Sequence, residues 1–163
     1  MNKRDIAIGV VILLFAAGIV YFFQKDKGDE TITIPESNIQ EVENILEEKF
    51  NVELPDDVEK VELTDLNGGN VSGVATRKFE SGVSYHTVLA DLPELSEEGE
   101  TYMVWLENAD GEIVNAGTLA KAKGGFVLDF TSNIDYMSYN KVFVTKETNS
   151  DSTPETKILE GEF

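Results

Sequence analysis

With 163 residues, 41% of them apolar and 27% charged, the chain has material for one compact domain and an appendage. Its 31 acidic residues against 13 basic ones give a formal net charge of −18, which repels phosphate backbones and anionic lipid headgroups and argues against nucleic acid as a partner. The sequence holds no cysteine, which excludes a disulfide framework, a thiolate metal site and lipoprotein anchoring.

Ile6 to Phe23, IAIGVVILLFAAGIVYFF, is an uncharged run of 18 residues. As a helix it covers about 27 Å at 1.5 Å per residue, close to the roughly 30 Å hydrocarbon layer. It predicts a single transmembrane helix over residues 6–23. A signal peptide is the competing reading, since Lys3 and Arg4 form a basic leader; the run exceeds the usual apolar core of such peptides and YFFQKDKGDE offers no small-x-small cleavage site, which favours an uncleaved anchor. Lys25 and Lys27 after the run balance Lys3 and Arg4 before it. The free amino terminus and the short leading segment therefore set the expected orientation, with residues 1–5 a cytoplasmic tail and everything beyond the helix outside the cytoplasmic membrane. That outer part carries 30 acids against 11 bases. Such acidity reads first as a well hydrated surface, with weak divalent-cation binding or a basic protein partner as the functional alternative.

Residues 24–52 read as a linker and an amphipathic helix. Gln24 to Glu30 is a charged spacer, TITIP follows, and SNIQEVENILEEKF then begins with Ser37 and Gln40 at capping-box spacing. Ile39, Val42, Leu46 and Phe50 recur every three or four residues, and Ile45 widens the stripe. About two heptads are too few to argue a coiled-coil stalk, so the stripe is expected to dock on the following domain.

From residue 53 to 163 the period changes to two. Strands are expected at Val58–Leu66, Val71–Glu80, Val83–Asp91, Thr101–Glu107, Glu112–Ala120, Gly124–Thr131, Lys141–Glu147 and Lys157–Phe163, separated by turn-rich segments such as NGGN, NADG and SNIDYMSYN. The pattern predicts a mainly β chain, an antiparallel β-sandwich of seven or eight strands. In TYMVWLE, Tyr102, Val104 and Leu106 share one face and Met103 and Trp105 the other, so this strand is expected to be central. Trp105, the only tryptophan, is expected to be core and not an exposed binding anchor.

Catalytic signatures are weak throughout. His86, the sole histidine, lies in an alternating strand with no nucleophile elbow near any serine. DLNGGN at Asp65–Asn70 fails as a calcium loop, because Gly69 and Asn70 stand where an oxygen ligand and a glycine are required, and reads as a hairpin turn. SDSTPE reads as a loop. With so many acids, a pair of carboxylates carries no information, and neither a phosphate-binding glycine loop nor an H-E-x-x-H helix occurs. The expectation is a chain without catalytic residues, resident metal or cofactor.

The segments LADLPEL, GETYMVWLENADGEIVNAGTL, GGFVLDF, NKVFVTKET and STPETKILEGEF, in this order, resemble the C-terminal extracytoplasmic domain of anti-sigma-K factors, the RskA-type domain. Leu92, Pro93, Gly99, Tyr102, Trp105 and Leu106 fall on that family's Leu-Pro and Gly-x-x-Tyr-x-x-Trp-Leu element, Ala116 and Gly117 on its Ala-Gly, and Val144, Thr145, Glu147 and Pro154 on its Val-Thr-x-Glu strand and the turn after it. The resemblance implies a β-sandwich outside the membrane, tethered by one helix, in a regulator that holds a sigma factor at the membrane. In the family a sigma-binding helical domain precedes the membrane helix; here Met1–Asp5 occupy that place, so fold and topology are expected without sigma sequestration. The expected function is that of a non-enzymatic single-pass membrane protein whose outer domain binds or senses a protein or an envelope component. A regulator of sigma-factor activity acting in trans through a partner membrane protein, and a structural envelope or surface subunit, are the alternatives.

Overall fold

The computed structural model describes residues 39–149, 151 and 153–163. The apolar run Ile6–Phe23, the spacer, TITIP and Ser37 lie outside these. Among the described residues no helix is long and apolar enough to cross a membrane.

Helix α1 (Ile39–Phe50) stops where Asn51 adopts a φ of 55°. The Asn51 N–H donates to the Glu48 carbonyl and the Val52 N–H to the Glu47 carbonyl, the paired bonds of a Schellman stop, in which asparagine is the usual substitute for glycine at the left-handed residue. Leu46 and Phe50 are buried and, with Leu54, meet Val74 and Leu89 of the sheet. The helix docks, as its stripe predicts. Ile45 departs from the expectation, being 54% exposed, while Glu43 is buried in its stead. Lys60 supplies the reason: its Nζ pairs with the Glu43 carboxylate, so a charge is accommodated under the helix and the buried stripe turns towards positions 39, 43, 46 and 50.

Nine strands follow: β1 (Glu59–Asp65), β2 (Ser72–Glu80), β3 (Val83–Asp91), β4 (Thr101–Glu107), β5 (Ile113–Thr118), β6 (Ala120–Ala122), β7 (Gly125–Ser132), β8 (Lys141–Glu147) and β9 (Thr156–Glu162). They form one antiparallel sheet in the order β5-β4-β8-β9-β1-β2-β3-β7-β6. The count exceeds seven or eight because the expected strand Glu112–Ala120 divides at Leu119, whose side chain is buried and whose N–H donates to the Tyr102 carbonyl at 2.8 Å. Its first part pairs with β4 and its second part with β7, at opposite ends of the strand order. The sheet therefore curls almost closed. β1 makes a second corner: Glu59–Leu63 pair with β2, and Thr64–Asp65 with β9. Gly161 makes that corner sterically tolerable, since a Cβ there would lie 2.5 Å from the Glu62 carbonyl oxygen.

The inner face encloses the main core, to which Leu63, Ala75, Val88, Val104, Val144 and Leu159 contribute from both halves of the sheet. The outer face of the β1-β2-β3 half is covered by α1. On the outer face of β4 and β8 a separate cluster of Met103, Trp105 and Phe143 is buried. β4 is thus apolar on both faces, as its sequence predicts, with β5 and β8 as neighbours.

Candidate functional site

The residues of the family resemblance are distributed along β4, β5, β8 and the loops beside them. Tyr102, Leu106, Ala116, Val144 and Leu92 belong to the inner core. The Tyr102 hydroxyl donates to the Pro93 carbonyl at 3.2 Å, which ties the Leu92–Glu100 loop to the strand after it. Gly99 lies in that loop, just before β4. Trp105 faces outward, 1% exposed, and its Nε1 donates to Thr145 Oγ1 at 2.7 Å. Glu147, also 1% exposed, accepts the Glu155 N–H at 3.0 Å and so fastens the loop that holds Pro154. Gly117 lies against Leu128, where a Cβ would come within 3.2 Å of Cδ1. None of these residues converges with the others on a cleft.

The cover over Trp105 and Phe143 is charged. The two rings stack with centroids 6.4 Å apart and planes 13° from parallel. Lys157 lies over the Phe143 ring, its Nζ 3.9 Å from the centroid, 2.9 Å from Glu160 and 3.8 Å from Glu107. A lysine stem can bury apolar surface while its ammonium stays paired.

A second cluster closes one end of the curled sheet. Arg77 points inward, in step with Gly73 and Ala75, and is buried. Its Nε donates to Glu59 at 2.7 Å, and Nη1 to the carbonyls of Met137 and Tyr139 and to Asn140 Oδ1 at 3.1–3.2 Å. Ser84 Oγ donates to the Ile134 carbonyl at 2.8 Å and accepts the Tyr136 N–H at 3.1 Å. Arg77 and Ser84 together hold the loop after β7 across the opening. His86, 4% exposed, faces Phe130 and Tyr136, with ring centroids 5.9 and 6.5 Å away. Its Nε2 has no hydrogen-bond partner among the described residues. Burial, reinforced by the Arg77 charge, pulls the His86 pKa down to about 4, so the ring is neutral at pH 7. Ser84 is committed to the loop and Arg77 to carbonyls, which leaves the cluster a structural brace in place of a nucleophile and base. Arg77 is not among the residues that sequence patterning singles out; its signal is the lone arginine on the inward parity of VSGVATRKFE.

Asp65–Asn70, tested in sequence as a calcium loop, connects the antiparallel strands β1 and β2. Asp65 Oδ1 accepts the Asn67 N–H at 2.8 Å and Asn67 Nδ2 donates to the Lys157 carbonyl at 3.0 Å. The Glu155 carboxylate accepts from the Thr148 N–H and hydroxyl at 2.9 Å, and these bonds, led by the Thr148 N–H, hold it below the ordinary carboxylate range. Among the described residues no three His, Asp or Glu side chains are placed to hold a metal ion. A groove of about 310 Å³ beside β2 and β3 is lined by Pro55, Asp57, Lys78 and the exposed Tyr85. Its charges are already paired, Lys78 Nζ lying 2.7 Å from Asp57 and 3.2 Å from Glu80.

Comparison of the chain with family models, with curated proteins and with solved structures finds no match.

Proposed function

We propose that the chain is a non-enzymatic single-pass membrane protein that presents its β-domain outside the cytoplasmic membrane as a binding or sensing module in envelope signalling. The observation that carries this reading is the pairing of an 18-residue uncharged run with a separate compact unit, Ser37–Phe163. Four buried hydrogen-bonding side chains of that unit, Arg77, Ser84, Trp105 and Glu147, are committed to holding strands and loops. We read the curled sheet as an RskA-like sandwich whose halves share β1. The links from Tyr102 to Pro93 and from Glu147 to Glu155 give the family-motif residues a structural purpose in it.

Crosslinking the full-length protein in its native membrane, with mass spectrometry of the products, tests the reading. Recovery of a sigma factor, an anti-sigma factor, an intramembrane protease or an envelope protein supports it. Recovery of the chain alone, together with protection of the β-domain from protease added to intact cells, overturns it.

A further inference from the structure

Among the described residues the curled sheet is left open along one seam. From Leu128 to Ser132, β7 pairs with β3 on one side, while on its other side β6 reaches only as far as Val127. β5 pairs with β4 alone. The two strands approach at Gly117 and Leu128, and no ladder joins them beyond that point. In an antiparallel ladder alternate residues turn their N–H and C=O groups to opposite sides, so both borders of the seam present backbone donors and acceptors that no strand among the described residues pairs. Unpaired edges of this kind are templates for another strand.

The floor of the seam is apolar. Val114, Leu128, Phe130 and Tyr139 pack against the main core yet are only half-buried. The borders are acidic. Asp110, Glu112, Asp129 and Asp135 lie on the two strands and the loops next to them, and neither Asn108–Ala120 nor Gly124–Asn140 contains a lysine or arginine. Tyr139, whose hydroxyl is 3.5 Å from Glu112 Oε2, spans from the loop after β7 to the start of β5.

We propose that the β5–β7 seam is a strand-accepting site for an extended basic segment of another protein, one in which apolar residues alternate with lysine or arginine. The backbone of the incoming segment pairs with β7, its apolar side chains enter the seam, and its basic side chains meet the acidic borders; main-chain bonds supply affinity and alternate side chains supply specificity. A second copy of this chain is disfavoured as occupant, because its own edges are equally acidic and like charges across a ladder repel. The proposal rests on the binding-module reading above and gives that module a surface and a partner chemistry.

The test uses the full-length protein in detergent and a labelled seven-residue peptide that alternates lysine with valine, with glutamate–valine and all-lysine peptides as controls. The lysine–valine peptide is expected to bind at least about tenfold tighter than either control and to slow amide exchange in Leu128–Ser132. Asp129→Lys, at an exposed position, is expected to weaken it about threefold, the effect of one cross-strand charge pair. Equal binding of the all-lysine peptide, slowed exchange confined to another face, or a dimer that itself protects β7 overturns the proposal. Crosslinks in the native membrane that map to α1 or to the outer face of β8 would leave the module reading standing and remove the seam from it. Peptide binding at β7 without any native partner would do the reverse.

Discussion

Trp105 shows how much one side chain settles and how much it leaves to its neighbours. Its outward parity follows from the alternation in TYMVWLE, but its partners come from about forty residues further along the chain, where Thr145 accepts its indole N–H and Phe143, beneath Lys157, stacks beside it. No local pattern encodes a lysine strap laid from another strand. Thr145→Val keeps the shape and leaves the indole N–H buried without an acceptor, which should cost about 1–3 kcal/mol. Urea unfolding followed by the fluorescence of this single tryptophan measures it, and a Trp105→Phe, Thr145→Val double variant followed by circular dichroism should lose less than the two single losses combined. His86 carries a separate expectation. Its folded pKa of about 4 lies below the ordinary value of 6.5, so the unfolded chain binds the proton more readily throughout the interval between them. Stability should therefore be full above about pH 6.5 and fall as the pH drops towards 4, with a slope of at most about 1.4 kcal/mol per pH unit. His86→Phe should flatten the curve between pH 5 and 6.5, a window above the range in which carboxylates titrate; a slope unchanged by the substitution would assign the loss to other groups.

At the scale of elements, periodicity is informative where each strand has one partner on either side and ordinary turns at both ends. Val83–Asp91, Thr101–Glu107 and Lys141–Glu147 are read from alternation to the same residues that the structure shows. Glu112–Ala120 reads as one strand and is two, because alternation records which way side chains point and not which strand lies alongside; the hand-over at Leu119 depends on strand order, a non-local property. The β5–β7 seam is invisible in the sequence for the same reason, since a missing neighbour leaves no mark on period two. α1 is legible through its stripe, except at position 43, where a charge is buried only because Lys60 lies beneath it. Leu46 is fully buried between α1 and the sheet, and Leu46→Ala should cost about 2–5 kcal/mol, the range for truncating a core leucine. Limited proteolysis should then cut near Asn51 before the sheet yields. Gly161→Val tests the β1 corner: its side chain collides with the Glu62 carbonyl and with Leu63, so amide exchange should accelerate first in Thr64–Asp65 and β9, with β2 and β3 still protected.

For the whole molecule the decisive quantity is charge. Every lysine and arginine from Lys49 to Lys157 other than Lys123 takes part in an ion pair, yet acids outnumber bases 31 to 13 over the chain. Most carboxylates therefore have no base left to pair with. Added salt acts on both populations. It weakens the ion pairs, which at partly exposed positions are worth about 0–1 kcal/mol each, and it screens the repulsion among the excess acids over a Debye length of about 10 Å at 0.1 M. Repulsion among the surplus acids outweighs the attraction within the pairs, because pairing has already used nearly all the bases and nothing further offsets the remaining carboxylates. The unfolding temperature should accordingly rise by several degrees as sodium chloride goes from about 10 mM to 0.5 M, most of the gain coming below roughly 0.2 M, where the screening length changes fastest. A melting temperature that falls with salt would mean that the ion-pair network, with the Glu43–Lys60 pair at its most buried point, outweighs the repulsion. The same titration bears on recognition. If the acidic borders of the β5–β7 seam attract a basic strand, its affinity must fall over the salt range in which the domain itself becomes more stable, and that opposition separates attraction at the seam from a loss of fold.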